Sequence, residues 1–284
     1  MDRVGRCAKC TAGLAGARRG CAEWTRAHAG GTFSSVRLLY RDEVVLAADK
    51  PAGVLTVPGR GEEQGEPLSA QVRAIAPEAI PVHRLDRDTS GVVLFALTRE
   101  AHRTLNAAFE SRRAEKTYLA LVRGDLAGPA RCELPLVHGR RGTVRAAQQG
   151  EGRARTARTD VEPLDRFGGA TWCACRPLTG RTHQIRVHLA ALGHPLLVDP
   201  RYGDGRTVLR RDLHAGAAEP DGIALQRTPL HAAAVRVPHP SGRGFLHVEA
   251  PLPDDLAGAL DLLRAARREG GINPSRAPGS SRRP

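Results

Sequence analysis

Apolar positions recur along this chain in two rhythms, short continuous or alternating runs and stripes at helical spacing. "VRLLYRDEVVLAADKPAG" (Val36–Gly53) reads as two strands around a turn, ending in a Lys-Pro-Ala-Gly loop. "EPLSAQVRAIAP" sets Leu68, Val72 and Ile75 one helical face apart, with Pro67 at the start and Pro77 past the end. "GVVLFALT" (Gly91–Thr98) is a buried strand. It runs into a helix capped by Thr98, with Leu105, Ala108 and Phe109 facing inward. "KTYLALVRG" is a further strand, and "TDVEPLDRFGGATWCACRPL" is a hairpin around Phe167-Gly168-Gly169. Ile185, Leu189 and Leu192 predict a short helix capped by Thr182, ended by Gly193 and followed by Pro195. "LHAAAVRV" and "GFLHVEA" close the pattern as two strands around "PHPSGRG".

Strands joined mainly by hairpins, with a few interposed helices, define an α+β fold. We expect one domain built on a largely antiparallel mixed sheet flanked by helices and loops. The pattern predicts an extension over residues 1–35, poor in periodicity and poorly ordered, a single domain over 36–262, and a basic disordered tail over 263–284. No internal repeat is visible.

Charge adds a partner to this picture. Lys and Arg total 43 of 284 residues against 30 acids, a formal net charge of +13. That excess suits a polymer of phosphates, because each cation beside it releases a counterion. Arg, Ala and Gly are all abundant, so compositional bias offers a plainer account, a solvated Arg-rich surface. The nucleic-acid reading is preferred. Aromatic residues make up only 4%, which argues against a base-stacking platform. No run of about 18 apolar residues predicts a membrane span, and the basic N-terminus lacks an apolar signal core, so the expected location is the cytoplasm.

The cysteines add little. Cys7, Cys10 and Cys21 with His28 would make a small zinc knuckle, but a free-thiol extension is the simpler reading. Cys173 and Cys175 alternate on one face of a strand, Cys132 stands apart, and no disulfide framework appears. His183, His188 and His194 lack acidic partners in any ligand pattern, so they read as core or RNA-facing groups and no metal site is expected.

Three segments carry candidate chemistry. In "HRLDRDTSG" (His83–Gly91) Asp86 sits between Arg84 and Arg87 on a loop that leads directly into a core strand. Functional groups often occupy such loops. Cations beside it favour the ionised carboxylate, which can act as base or nucleophile. The alternative is that Asp86 and Asp88 only pair with Arg84 and Arg87. In "TGRTHQIRVHLAALGHPLLVDPRYG" Arg186 falls in the first turn of a helix, where the dipole disfavours a cation. Its anionic partner would be RNA phosphate or a carboxylate such as Asp86. In "EKTYLALVRG" Lys116 stands near Tyr118. Only three lysines occur, Lys9, Lys50 and Lys116, and two of them lie in these segments.

Taken in order, "HRLDRDTSG", "KTYLALVRG", "TGRTHQIRVHLAALGHPLLVDPRYG" and "LQRTPLHA" resemble the RluA family of pseudouridine synthases over roughly residues 36–256. The resemblance implies an enzyme that breaks the N1–C1′ bond of uridine in RNA, turns the base and rejoins it through C5, with no metal, nucleotide or redox cofactor. It implies Asp86 as the catalytic aspartate, Tyr118 as the ring that stacks on the target base, and Arg186 as the cationic partner of Asp86. It also implies Leu230 in the wall of the base pocket. The target base must leave the helix, so we expect Arg84 to fill the gap, with His83 beside it at the substrate. Arg140, Arg141, Arg145, Arg153, Arg155 and Arg158 lie in one loop that we assign to phosphate contact. Asp88 is expected to be structural. About 35 residues precede the match, too few for the RNA-binding S4 domain that many relatives carry. The expected substrate is ribosomal or transfer RNA and the expected state a monomer, with no membrane contact. Two alternatives stand beside this reading: a non-catalytic RNA-binding or ribosome-assembly protein that keeps the fold, and a hydrolase using His83 and Asp86.

Overall fold

A computed structural model describes residues 36–59, 65–139, 143–148 and 150–270. The cysteine group of the N-terminal segment, Arg140, Arg141 and the tail from residue 271 lie outside the described residues.

The chain begins with the expected strand pair, β1 (Arg37–Arg41) and β2 (Val45–Lys50). Asp42 closes their turn by accepting the backbone N–H groups of Val44 and Val45 at 2.9 and 2.7 Å. Helix α1 (Leu68–Ile75) and the two-residue β3 (Ile80–Pro81) lead through the Asp86 loop to β4 (Ser90–Ala96). Helix α2 (Arg99–Glu110) follows, and Thr98 caps it by accepting the Ala101 N–H at 3.1 Å. Then come β5 (Glu115–Arg123), β6 (Ala130–Cys132), a small hairpin of β7 (Leu136–His138) and β8 (Val144–Ala146), and the long hairpin of β9 (Thr159–Arg166) and β10 (Ala170–Pro177). Helix α3 (Gln184–Ala191), β11 (Val208–Leu209), α4 (Arg210–Leu213) and β12 (Ile223–Leu225) precede β13 (Leu230–Pro238), β14 (Phe245–Glu249) and α5 (Asp254–Arg268).

Ten strands form one mixed sheet, with the path β1-β2-β4-β13-β5-β10-β9-β6, β14 beside β13 and β3 beside β4. All its pairings are antiparallel except β13 with β4, where His231 and Ala232 lie opposite Ser90 and Gly91. The central strands are buried on both faces. On β2 and β4, Val45, Ala47, Val92 and Leu94 pack with Ala101 and Leu105 of α2, while Leu46, Ala48, Val93 and Phe95 pack with Leu68 and Val72 of α1. On the other half, Leu121 and Trp172 meet Leu256, Leu260 and Leu263 of α5. Ala120, Val122, Cys173 and Cys175 meet Ile185 and Leu189 of α3. The two cysteines share one strand face as expected, with sulfurs 3.9 Å apart.

Two expectations need correction. Helix α5 runs across the boundary placed at 262/263, because Leu263 and Ala266 continue its buried stripe. Thr182 does not cap α3. His183 takes that position with a left-handed backbone, φ 53°, and no side chain caps the helix.

Candidate active site

The loop that carries Asp86 is held from below by the segment after β2. Lys50 is fully buried, and its ammonium donates to the carbonyls of Pro51, Val54 and Arg87 at 2.8, 2.6 and 2.9 Å. Gly53 N–H donates to the Arg87 carbonyl and Arg87 Nε to the Gly53 carbonyl, both at 2.9 Å. Thr56 Oγ1 donates to Leu85 O at 3.1 Å and accepts from Leu85 N at 3.0 Å. The residues flanking Asp86 are thus fixed to a rigid strand end, while Asp86 itself stays about a quarter exposed. Burial pushes the Lys50 ammonium down to about 8, against the pull of Asp88 and Asp86.

Asp86 faces a cleft of about 500 Å³. Tyr118 of β5 and Leu230 of β13 line it, as do His183 and Arg186 of the α3 N-terminus. Four positions expected from the sequence at the catalytic site, Asp86, Tyr118, Arg186 and Leu230, are therefore brought together from segments up to 144 residues apart. Among the described residues the Tyr118 hydroxyl has no hydrogen-bond partner, and burial, with Asp86 nearby, raises its pKa well above the phenol range. Lys116 borders the same cleft and donates to Thr179 O at 3.0 Å. Burial lowers its pKa to about 8. Of the lysines that stood out by rarity, Lys50 is buried and Lys116 half-buried, and both hold walls of the site.

Arg186 does not bond to Asp86. Its Nε and Nη2 donate to the two oxygens of Asp199 at 2.8 and 2.7 Å, and both side chains are almost wholly buried. Asp199 also accepts the backbone N–H groups of Arg201 and Tyr202 at 2.9 and 3.1 Å. Burial works against its charge, but the Arg186 guanidinium and these N–H groups more than offset it, and its pKa lies below the usual carboxylate range. The anion that compensates a cation at the helix start is therefore Asp199, present in the quoted "VDPRYG" but not singled out there. The planar fork of arginine matches a carboxylate in two places at once, which a more distant Asp86 does not offer.

His183 is an ionisable neighbour of Asp86, with Nε2 3.9 Å from Asp86 Oδ2. His183 Nδ1 lies 2.9 Å from the Tyr202 hydroxyl, and that hydroxyl donates to Val144 O at 2.9 Å. The phenol proton is thereby committed, so Nδ1 carries a hydrogen and donates it, leaving Nε2 turned toward Asp86. Burial lowers the His183 pKa, with Asp86 pulling the other way and Arg186 adding to the lowering. Tyr202 also lies under the Arg186 guanidinium, 5.1 Å from its ring centre. Asp86 and His183 thus form a pair of proton acceptors at the mouth of a cationic cleft.

Other expected contacts divide. Arg84 is exposed and borders the cleft. His83 borders it too, but its ring stacks on Phe109 at 5.1 Å and its Nε2 accepts the Leu94 N–H at 3.1 Å. Burial drives its pKa down to about 3. That nitrogen is unavailable as the base of a His83–Asp86 hydrolase, and the residue is better described as a wall of the site. In the arginine loop, Arg145 pairs with Glu151 at 2.6 Å and Arg158 with Asp160 at 3.0 Å. Arg153 and Arg155 are exposed with no carboxylate partner among the described residues. His188 is core, between Thr159 Oγ1 and Leu134 O, and the described residues hold no cluster of metal-ligand type. No described helix is long and apolar enough to cross a membrane.

The family model described as RNA pseudouridylate synthase matches residues 44–191, which hold Asp86, Tyr118 and Arg186. Ribosomal large subunit pseudouridine synthase C of Escherichia coli O157:H7 is 41% identical over 239 residues, covering 81% of this chain and 70% of that one. Ribosomal large subunit pseudouridine synthase D of Xanthomonas campestris is 36% identical over 245 residues, covering 84% and 73%. The solved human RNA pseudouridylate synthase domain containing 4 shares the fold at a TM-score of 0.65 and 20% identity, over 80% of this chain and 92% of that one. The chain belongs to the RluA family and is an RNA pseudouridine synthase. This sets aside the reading as a binder that only keeps the fold.

Proposed function

We propose that the protein converts particular uridines of large-subunit ribosomal RNA to pseudouridine, with Asp86 as the group that acts on the flipped-out nucleotide. The observation that carries this is the convergence of Asp86, Tyr118, Arg186 and Leu230 on one cleft. The reaction is an isomerisation: N1–C1′ breaks, C5–C1′ forms, and the C5 proton leaves for N1 or solvent. A site for it needs a carboxylate at the sugar, a flat surface to hold the detached base, and a proton acceptor. Asp86, the Tyr118 ring and the Asp86–His183 pair supply these in turn. Arg84, exposed beside Asp86, is placed to occupy the gap left by the base. Arg186, locked by Asp199, keeps a fixed positive charge beside the carboxylate. Transfer RNA is the competing substrate, and the ribosomal names of the relatives favour ribosomal RNA.

The test is a pseudouridine map of total RNA from cells lacking the gene, complemented with wild type or Asp86→Asn. Wild type should restore sites in large-subunit ribosomal RNA, and Asp86→Asn should restore none while still binding the RNA. Restoration by Asp86→Asn would remove Asp86 from its role. Lost sites confined to transfer RNA would overturn the substrate.

A further inference from the structure

Among the described residues, three that are not glycine have a left-handed backbone: Arg112, His183 and Glu219. Two of them, Arg112 and His183, border the cleft that holds Asp86. Arg112 follows the capping residue of α2, Ser111, with φ 61°. Its N–H donates to Phe109 O at 3.2 Å and that of Arg113 to Ala108 O at 2.9 Å, so the helix closes with a left-handed residue just past its cap. Glycine is the residue that takes this conformation without a clash between Cβ and the carbonyl. The chain uses glycine at the same place elsewhere, with Gly193 after α3 at φ 83° and Gly270 after α5 at φ 71°. Only at the cleft does an arginine bear the strain.

The side chain of Arg112 does nothing local to repay it. It is exposed and has no hydrogen bond or ion pair among the described residues, and Glu110, on the same rim, does not pair with it. Arg176 pairs with Glu162 at 2.6 Å and Arg236 with Glu115 at 2.8 Å, whereas Arg37 and Arg166, exposed on the sheet, form no ion pair with a carboxylate among the described residues, so what sets Arg112 apart is its strained backbone on the rim of the cleft. Strain kept at a cleft without a compensating contact points to a contact made with the substrate. We propose that Arg112 is an RNA-binding residue whose guanidinium takes a backbone phosphate beside the uridine entering the cleft. A planar guanidinium can hold two phosphate oxygens at once. This rests on the reading of RNA as substrate.

The plainer account is a cation that only complements the α2 dipole. Arg112→Gly separates the two, because glycine relieves the backbone while removing the charge. The measurement compares wild type, Arg112→Gly, Arg112→Lys and Arg236→Ala, each as the full chain, for melting temperature and for affinity to transcribed large-subunit ribosomal RNA across a salt series. Arg112→Gly should melt at the same temperature or about 2–4 °C higher. It should bind RNA about tenfold more weakly at moderate salt, and its slope of log affinity against log salt should fall by roughly 0.7–0.9. Arg112→Lys should recover most of the slope, and Arg236→Ala should match wild type. Wild-type affinity and slope in Arg112→Gly would overturn the proposal, as would a lower melting temperature with unchanged binding. Wild-type protein that binds no RNA would instead overturn the substrate reading, and this contact with it.

Discussion

Replacing Asp199 by asparagine should damage stability and chemistry together, and a second substitution should separate them. Asp199 is fully buried and Arg186 nearly so, and their two hydrogen bonds are short. Removing one partner of such a pair leaves a buried, uncompensated charge, a cost of about 3–5 kcal/mol. Asparagine keeps an oxygen for the N–H groups of Arg201 and Tyr202, so the loss should fall near the lower end, about 3 kcal/mol. At about 2–4 °C per kcal/mol for a domain of this size, the melting temperature should drop by about 6–12 °C. The double variant Arg186→Met with Asp199→Asn no longer buries a lone cation and should regain at least half of that loss. It should nonetheless fail to form pseudouridine, since the fixed charge beside Asp86 is gone. In the single variant Arg186 is free to shift, and misplacement on the scale of 1 Å should slow the reaction about 100-fold. The acid limb should change as well. The Asp199 pKa is depressed on folding, so its contribution is complete above about pH 4 and is lost as pH falls through the lower folded value. Asp199→Asn should flatten that limb. Denaturant unfolding at several pH values and single-turnover pseudouridine formation are the assays. A loss below about 1 kcal/mol in the single variant, or a double variant less stable than the single, would refute the reasoning.

Other expectations follow from the same geometry. A methyl group on Gly91 would lie 2.2 Å from the Ala232 carbonyl oxygen, so Gly91→Ala should break the β4–β13 pairing and leave little folded protein by circular dichroism; a native melting curve would contradict it. Tyr202→Phe removes the acceptor that fixes the His183 tautomer, and should lower the rate and shift the pH profile with RNA affinity unchanged; an unshifted profile would count against His183 as a partner of Asp86. Lys50 has a folded pKa near 8 against about 10.4 unfolded, so between those values the unfolded chain binds more protons and this group favours folding as pH rises. The neutral amine has fewer hydrogens for three carbonyls, so activity should fall above pH 8 while the protein stays folded; a rate constant to pH 9.5 would show that the loop does not need the charge.

The parts of the fold legible in the sequence are those decided within one segment. Thr98 before an amphipathic stripe, the unbroken apolar run of β4 and the glycine pair between β9 and β10 announce their structures locally. Helix α5 and the β7–β8 hairpin did not, the first because its stripe is diluted by Asp and Arg, the second because its strands are only three residues long. The site was legible as residue types but not as pairings. Asp86, Tyr118 and Arg186 could be picked out in turn, yet nothing in a one-dimensional reading distinguishes Asp86 from Asp199 as the partner of Arg186. That choice depends on where the turn after α3 returns. Lys50 was visible only as a rarity. Its three carbonyl partners are backbone groups, which leave no mark in the sequence.

The order of strands has a consequence for how the enzyme comes into being. Asp86 enters the site from the loop that leads into β4, while Tyr118 stands on β5, and these two strands do not pair: β13 lies between them. A ribosome making this chain releases both residues long before it makes Leu230. Until that late strand slots in, parallel to one neighbour and antiparallel to the other, carboxylate and ring belong to separate pieces of protein. A chain truncated before residue 230 should therefore form no pseudouridine, because it lacks the strand that joins β4 to β5; activity in such a chain would contradict this. The pairings that join these strands, His231 with Ser90 and Leu230 with Ala120, are long-range, the kind that slows folding.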